Sequence, residues 1–143
     1  MKRLDGEVGS VTVSVDGSVT PTPSPTPAPT PSPSVTTYTV TVASYYGSNY
    51  FYIDGSRAPT LSLTEGQTYK FDQSDSTNSN HPLRFSTTAN GTHGGGTEYT
   101  TGVTTSGTPG SSGAYTQIEV ASGAPTLYYY CTNHSGMGGQ INT

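Results

Sequence analysis

Residues 131–137 read Cys-Thr-Asn-His-Ser-Gly-Met. This window holds the one cysteine of the chain, one of its three histidines, and its only methionine besides Met1. A thiolate, an imidazole and a thioether crowded together are soft ligands of the kind copper prefers, although zinc also occupies N/S sites. Two nitrogens and one sulfur near a trigonal plane, with a weak axial thioether, make a site suited to one-electron chemistry. Cys131, His134 and Met137 supply three of these four ligands, so the fourth must be a histidine from elsewhere. His81, in Ser79-Asn80-His81-Pro82-Leu83, is the better candidate; His93, in Gly91-Thr92-His93-Gly94-Gly95-Gly96, is the other. Taken singly, Cys131 reads as a small buried hydrophobe, Met137 as packing and His81 as a capping residue. Their joint order and spacing favour a metal site.

Other chemistries fit less well. Cys131 and His134 could pair as nucleophile and base, but no carboxylate stands near to orient the imidazole and no oxyanion-hole motif is evident. The chain is therefore read as a non-enzyme. Asp72 and Asp75 beside Ser74 and Ser76 lack EF-hand spacing and read as turn caps. No glycine loop with a phosphate-binding lysine occurs.

The elements that must carry these ligands are strands. Tyr38, Val40 and Val42 alternate on one face of a first strand. Asn49–Ile53 follows and ends at Asp54-Gly55. Leu61 and Leu63 lead to a Glu65-Gly66 turn, after which Tyr69 and Phe71 alternate. Leu83 and Phe85 alternate just after His81. A Gly/Ser/Thr-rich stretch runs from Thr87 to Gly113 with one strand near Tyr99–Val103. Tyr115–Val120, Thr126–Cys131 and Gln140–Asn142 complete the set. Seven to nine short strands with frequent turns predict a β-sandwich, and nothing reads as a long helix. Leu127-Tyr128-Tyr129-Tyr130 is an apolar strand able to bury and aim the Cys131 sulfur. Gly136, Gly138 and Gly139 allow the tight loop that brings His134 and Met137 back toward it.

Residues 35–143 hold all of these strands. Before them, residues 20–34 place proline at every second position, which removes amide donors and fixes φ, so an extended polyproline-II spacer is expected, the alternative being a disordered tether of no set reach. At ~3.1 Å per residue it would reach on the order of 45 Å. Residues 1–19 contain Val11, Val13 and Val15 alternating with polar residues, a strand roughly from Gly9 to Val15. Lys2 and Arg3 are followed by Asp5 and Glu7 and not by an apolar run, so no secretion signal is read.

Tyr130-Cys131-x-x-His134-x-x-Met137 resembles the compact ligand loop of cupredoxins, the blue-copper family of plastocyanin and amicyanin. The order of an isolated mid-domain histidine followed by a closing Cys-His-Met cluster is similar too, as is a hairpin from Leu61 to Phe71 before the first ligand. The resemblance implies an all-β, cupredoxin-like Greek-key β-sandwich over residues 35–143. It also implies copper held by His81, Cys131 and His134 as equatorial ligands and Met137 as the axial one. The chain departs from the family pattern at His81. Family members often carry an asparagine directly after this histidine to tie the two ligand loops. Here Asn80 precedes His81 and Pro82 follows it, so that tie comes from elsewhere or is missing.

Composition narrows the partners. A net charge of −4 with only five basic residues argues against nucleic acid. No run of eighteen apolar residues exists, so no membrane span is expected. A single cysteine excludes an internal disulfide. Hydrophobic residues are only 29% of the chain, and eleven tyrosines supply much of the apolar surface. A short strand, a stiff spacer and a compact β-domain form a surface-presentation layout. Residues 81–86 and 127–139 also resemble modules in structural proteins of marine bacteria and their phages. That resemblance implies a virion decoration or fibre-like protein. Residues 1–19 would dock it on a larger assembly, at a virion or extracellular surface, with self-association there as a further expectation. The strand near Gly9–Val15 could add to a sheet edge of that assembly. The alternative is a soluble blue-copper electron carrier, for which a periplasmic location is expected.

Overall fold

The computed structural model describes residues 34–143. The expected anchor strand near residues 9–15 and all of the proline-rich spacer except Ser34 lie outside the described residues. Eleven short strands make up the domain: β1 (Val35–Tyr45), β2 (Ser48–Ile53), β3 (Ser56–Arg57), β4 (Leu61–Ser62), β5 (Thr68–Asp72), β6 (Leu83–Ser86), β7 (Glu98–Tyr99), β8 (Val103–Ser106), β9 (Tyr115–Glu119), β10 (Leu127–Cys131) and β11 (Gly139–Asn142). The helical segments among the described residues are two 3-10 turns, Ser76–Asn78 and Gly91–Gly94. The domain is all-β, as its alternating pattern predicts.

The strands form two mixed sheets. One has six strands in the order β3-β2-β1-β5-β9-β8, and the other has five in the order β4-β11-β10-β6-β7. β1 is long enough to serve two neighbours. Its first half runs parallel to β5, with Val35 opposite Thr68, and its second half runs antiparallel to β2, with Val42 opposite Phe51. Alternation decides which residues face inward. Val40, Val42, Phe51, Ile53, Phe71 and Ile118 come from the first sheet, and Leu83, Phe85, Leu127, Tyr129, Cys131 and Ile141 from the second. They share one buried cluster. Phe71 meets Phe85 edge-on across it, with ring centroids 5.4 Å apart.

Several expected elements shift. The hairpin expected from Leu61 to Phe71 does not form, because β4 and β5 lie in different sheets. β4 pairs in parallel with β11, whereas β5 pairs with β1 and β9. The Glu65-Gly66 turn, with Gly66 at φ 83°, therefore carries the chain from one sheet to the other. The single strand expected at Tyr99–Val103 is two, β7 and β8, in separate sheets. A glycine at φ 71°, Gly102, breaks the run between them.

Two hairpin turns flank β2. Tyr46-Gly47 and Asp54-Gly55 each place both residues at positive φ, as a two-residue type I′ connection requires. Asp54 suits that backbone; Tyr46 does not. Tyr46 stands at φ 48° with 92% of its surface exposed, packed edge-on to Tyr45 at 4.5 Å. Tyr46→Asn should therefore raise stability by about 1 kcal/mol by easing the left-handed backbone. Thermal unfolding checks this; a lowered midpoint would mean that the Tyr45–Tyr46 contact outweighs the backbone cost.

Candidate metal centre

β10 lies between β6 and β11, and this placement builds the site. Cys131 stands opposite Leu83 on β6, and the ladder runs on past the strand end through the Thr132 N–H to the Pro82 carbonyl at 3.2 Å. His81, two residues before β6, is thereby brought to the Cys131 side chain although 50 residues separate them. His134 reaches the same point from the loop that leaves β10. The loop must then turn tightly into β11. Gly138 passes so close that a Cβ there would overlap the Tyr129 carbonyl, so only glycine fits.

The ligand-type atoms of His81, Cys131 and His134 all lie within 4.8 Å of one another. Cys131 Sγ is 3.7 Å from His81 Nδ1 and 3.6 Å from His134 Nδ1. A metal bound to a thiolate at ~2.3 Å and to an imidazole at ~2.0 Å, at a near-tetrahedral angle, holds the two donors roughly 3.5 Å apart. The three side chains therefore fit a metal ion of that size. Cys131 is wholly buried and His81 is 9% exposed, whereas His134 is open to solvent. The two imidazole rings lie close and tilted by 40°, with centroids 4.5 Å apart. Met137 is 1% exposed and belongs to the same buried cluster as Cys131. Its carbonyl accepts from the Phe51 N–H at 3.2 Å, which fastens the loop to β2.

His93 is not part of the group. Its Nε2 stands 2.8 Å from the Cys131 carbonyl oxygen, to which it donates.

Side chains that carried no signal of their own hold this group in place. Gln73, 1% exposed at the end of β5, grips the His81 segment. Its Nε2 donates to the His81 carbonyl at 2.8 Å and to Asn78 Oδ1 at 3.0 Å, and its Oε1 accepts from the Leu83 N–H at 3.0 Å. Asn78 donates to the Val40 carbonyl and accepts the His81 N–H at its own carbonyl, both at 2.8 Å. With Pro82 following His81, the tie between the two loops comes from elsewhere: Asn133 Nδ2 donates to the Asn80 carbonyl at 3.0 Å. Asn133 was visible inside the 131–137 window, but its partner is a backbone atom that no sequence pattern marks.

No protein-family model, curated protein or solved structure matches this chain. The site is accordingly read from its own geometry.

Burial sets the protonation of Cys131 and His81. It pushes the Cys131 thiol above its usual value, opposed by the backbone N–H groups of Asn133 and His134, which donate to the sulfur. It holds His81 below its usual value, with the neighbouring His134 adding to the effect. Both groups therefore favour their neutral forms when no cation is bound. Below 6.5, the ordinary histidine value, the unfolded chain takes up a proton that folded His81 resists, so stability falls with pH. Above 9.0, the ordinary thiol value, the unfolded chain releases a proton that folded Cys131 keeps, so stability falls as pH rises. The chelator-treated protein should be most stable between these limits, as urea midpoints measured across pH would show. A midpoint that stays level through both limits would contradict the assigned burial. A bound cation reverses the preference at Cys131, because it favours the thiolate.

Proposed function

We propose that residues 35–143 form a cupredoxin-like Greek-key domain that holds one copper ion through His81, Cys131 and His134, with Met137 as the axial ligand. The observation that carries this reading is the convergence of two imidazole Nδ1 atoms on one buried sulfur. A donor set of one thiolate and two imidazoles, with a thioether as axial ligand, is the one copper takes in preference to other divalent ions. When bound, copper would supply reversible one-electron redox chemistry. The protein's own part is to keep water from Cys131, orient His81 through Gln73 and Asn78, and leave the outer edge of His134 accessible.

The domain is proposed to be displayed on a larger particle, as a virion decoration or fibre-like protein. Residues 1–19 would attach it and the proline-rich segment would space it from the surface. The layout of the sequence supports this reading: a strand pattern, then alternating proline, then a compact domain. A second reading, a soluble electron carrier, is favoured by the exposure of His134, since an exposed ligand edge gives a partner close access to the metal.

Titration of the full chain with Cu(II), followed by visible absorption and thermal unfolding, tests the metal. One equivalent should produce an intense sulfur-to-copper charge-transfer band and raise the melting temperature, because a ligand specific to the folded state shifts the equilibrium. A colourless protein whose melting ignores copper would sink the copper reading. Co-sedimentation with a source particle, lost when residues 1–19 are deleted, separates display from a free carrier.

A further inference from the structure

Near its start, the glycine-rich stretch 87–113 meets the 131–137 loop. Asn90 adopts the left-handed conformation at φ 64°, ψ 12°, just before the 3-10 turn Gly91–Gly94. Its Oδ1 accepts from the Gly136 N–H at 2.9 Å, and its Nδ2 donates to Ser135 Oγ at 2.8 Å. Within the turn itself, His93 Nε2 donates to the Cys131 carbonyl at 2.8 Å. Gly91 is buried beneath the Tyr130 ring, where an added Cβ would stand 2.5 Å from ring carbons. The turn thus lies flush on β10 and touches the ligand loop at residues 131, 135 and 136, on both sides of His134.

The two histidines are supported differently. His81 is buried and held by the Gln73–Asn78 network. Residues 133–136 are all exposed, and little apolar packing restrains them. Ordering an exposed residue costs backbone entropy. If that cost fell due at metal binding, affinity would drop by as much.

We propose that Asn90 and His93 are positioning residues that clamp the 131–137 loop, so that His134 is held in its ligand position before any metal arrives. The clamp is a property of the folded chain itself; only its effect on metal affinity rests on the proposed copper site. His93, a rejected ligand, thereby acquires a role, as does the long loop that contains it.

Amide hydrogen exchange of the full chain, chelator-treated, tests the clamp without metal. Asn90→Gly keeps the left-handed backbone accessible and removes only the side chain. Gly136 exchange in this variant should rise about tenfold or more, while Ile118 in the opposite sheet keeps its protection. His93→Ala should also speed Gly136 exchange, by releasing the turn from β10. His93→Gln should restore it, because the glutamine Nε2–H reaches the same carbonyl. The second readout is Co(II) dissociation, which should speed up roughly 10–100-fold in Asn90→Gly and recover in His93→Gln relative to His93→Ala. Gly136 exchange within about twofold of the parent in Asn90→Gly would overturn the clamp, as would a uniform rise that includes Ile118. If the parent binds neither Co(II) nor Cu(II), the copper reading fails, and the exchange rates still decide the clamp.

Discussion

Cys131→Ser should abolish the copper charge-transfer band and weaken copper binding by more than the roughly 100-fold that loss of an outer-shell partner can cost. A serine hydroxyl is a poor ligand for a soft metal, and it stays protonated where a thiol does not. The replacement is small and can still accept from the Asn133 and His134 N–H groups that now donate to the sulfur. The fold should survive, so the experiment reads metal binding and not unfolding. Isothermal titration of parent and variant with Cu(II) gives the affinity ratio. Equal affinities would place the metal elsewhere on the chain. His81→Ala should behave similarly, since its Nδ1 stands 3.7 Å from the same buried sulfur.

Gln73→Leu should cost about 4 kcal/mol, because it strands several buried polar groups at once. The Leu83 N–H loses its acceptor, and the His81 carbonyl and Asn78 Oδ1 lose their donor. Leucine nearly preserves the volume, so the loss reports unmet hydrogen bonds and not a cavity. Gln73→Glu is the informative companion. One carboxylate oxygen could still serve Leu83, but the other would face two acceptor oxygens, and burial would favour protonation. Its destabilisation should therefore shrink as pH falls and the second oxygen regains a proton to donate. Urea unfolding of both variants at two pH values measures this. A cost under about 1 kcal/mol for Gln73→Leu would mean that water replaces the amide and that His81 is held by other means.

The inward faces of the domain could be read from one dimension because alternation along a strand is local. Val40 with Val42, Tyr69 with Phe71, and Leu83 with Phe85 face the core as their spacing predicts. The tight turn after Cys131 was equally local, and the structure places Cys131, His81 and His134 around a common point. Pairing was not legible, because nothing in Leu61–Ser62 or Thr68–Asp72 says which sheet each will join. That choice is made by β11 and β1, which approach from distant parts of the chain.

What the amino-acid order determined by itself is the chemistry: a scarce thiol, imidazole and thioether in one short window, and an all-β pattern to carry them. What only the tertiary structure decided is the support. Gln73, Asn78, Asn90, Asn133 and His93 act mainly on backbone atoms, which for all but Gln73 belong to residues far along the chain. A backbone carbonyl or amide is identical in every residue and leaves no mark in the sequence. Such contacts exist only once two sheets have closed on one core and brought the loops together.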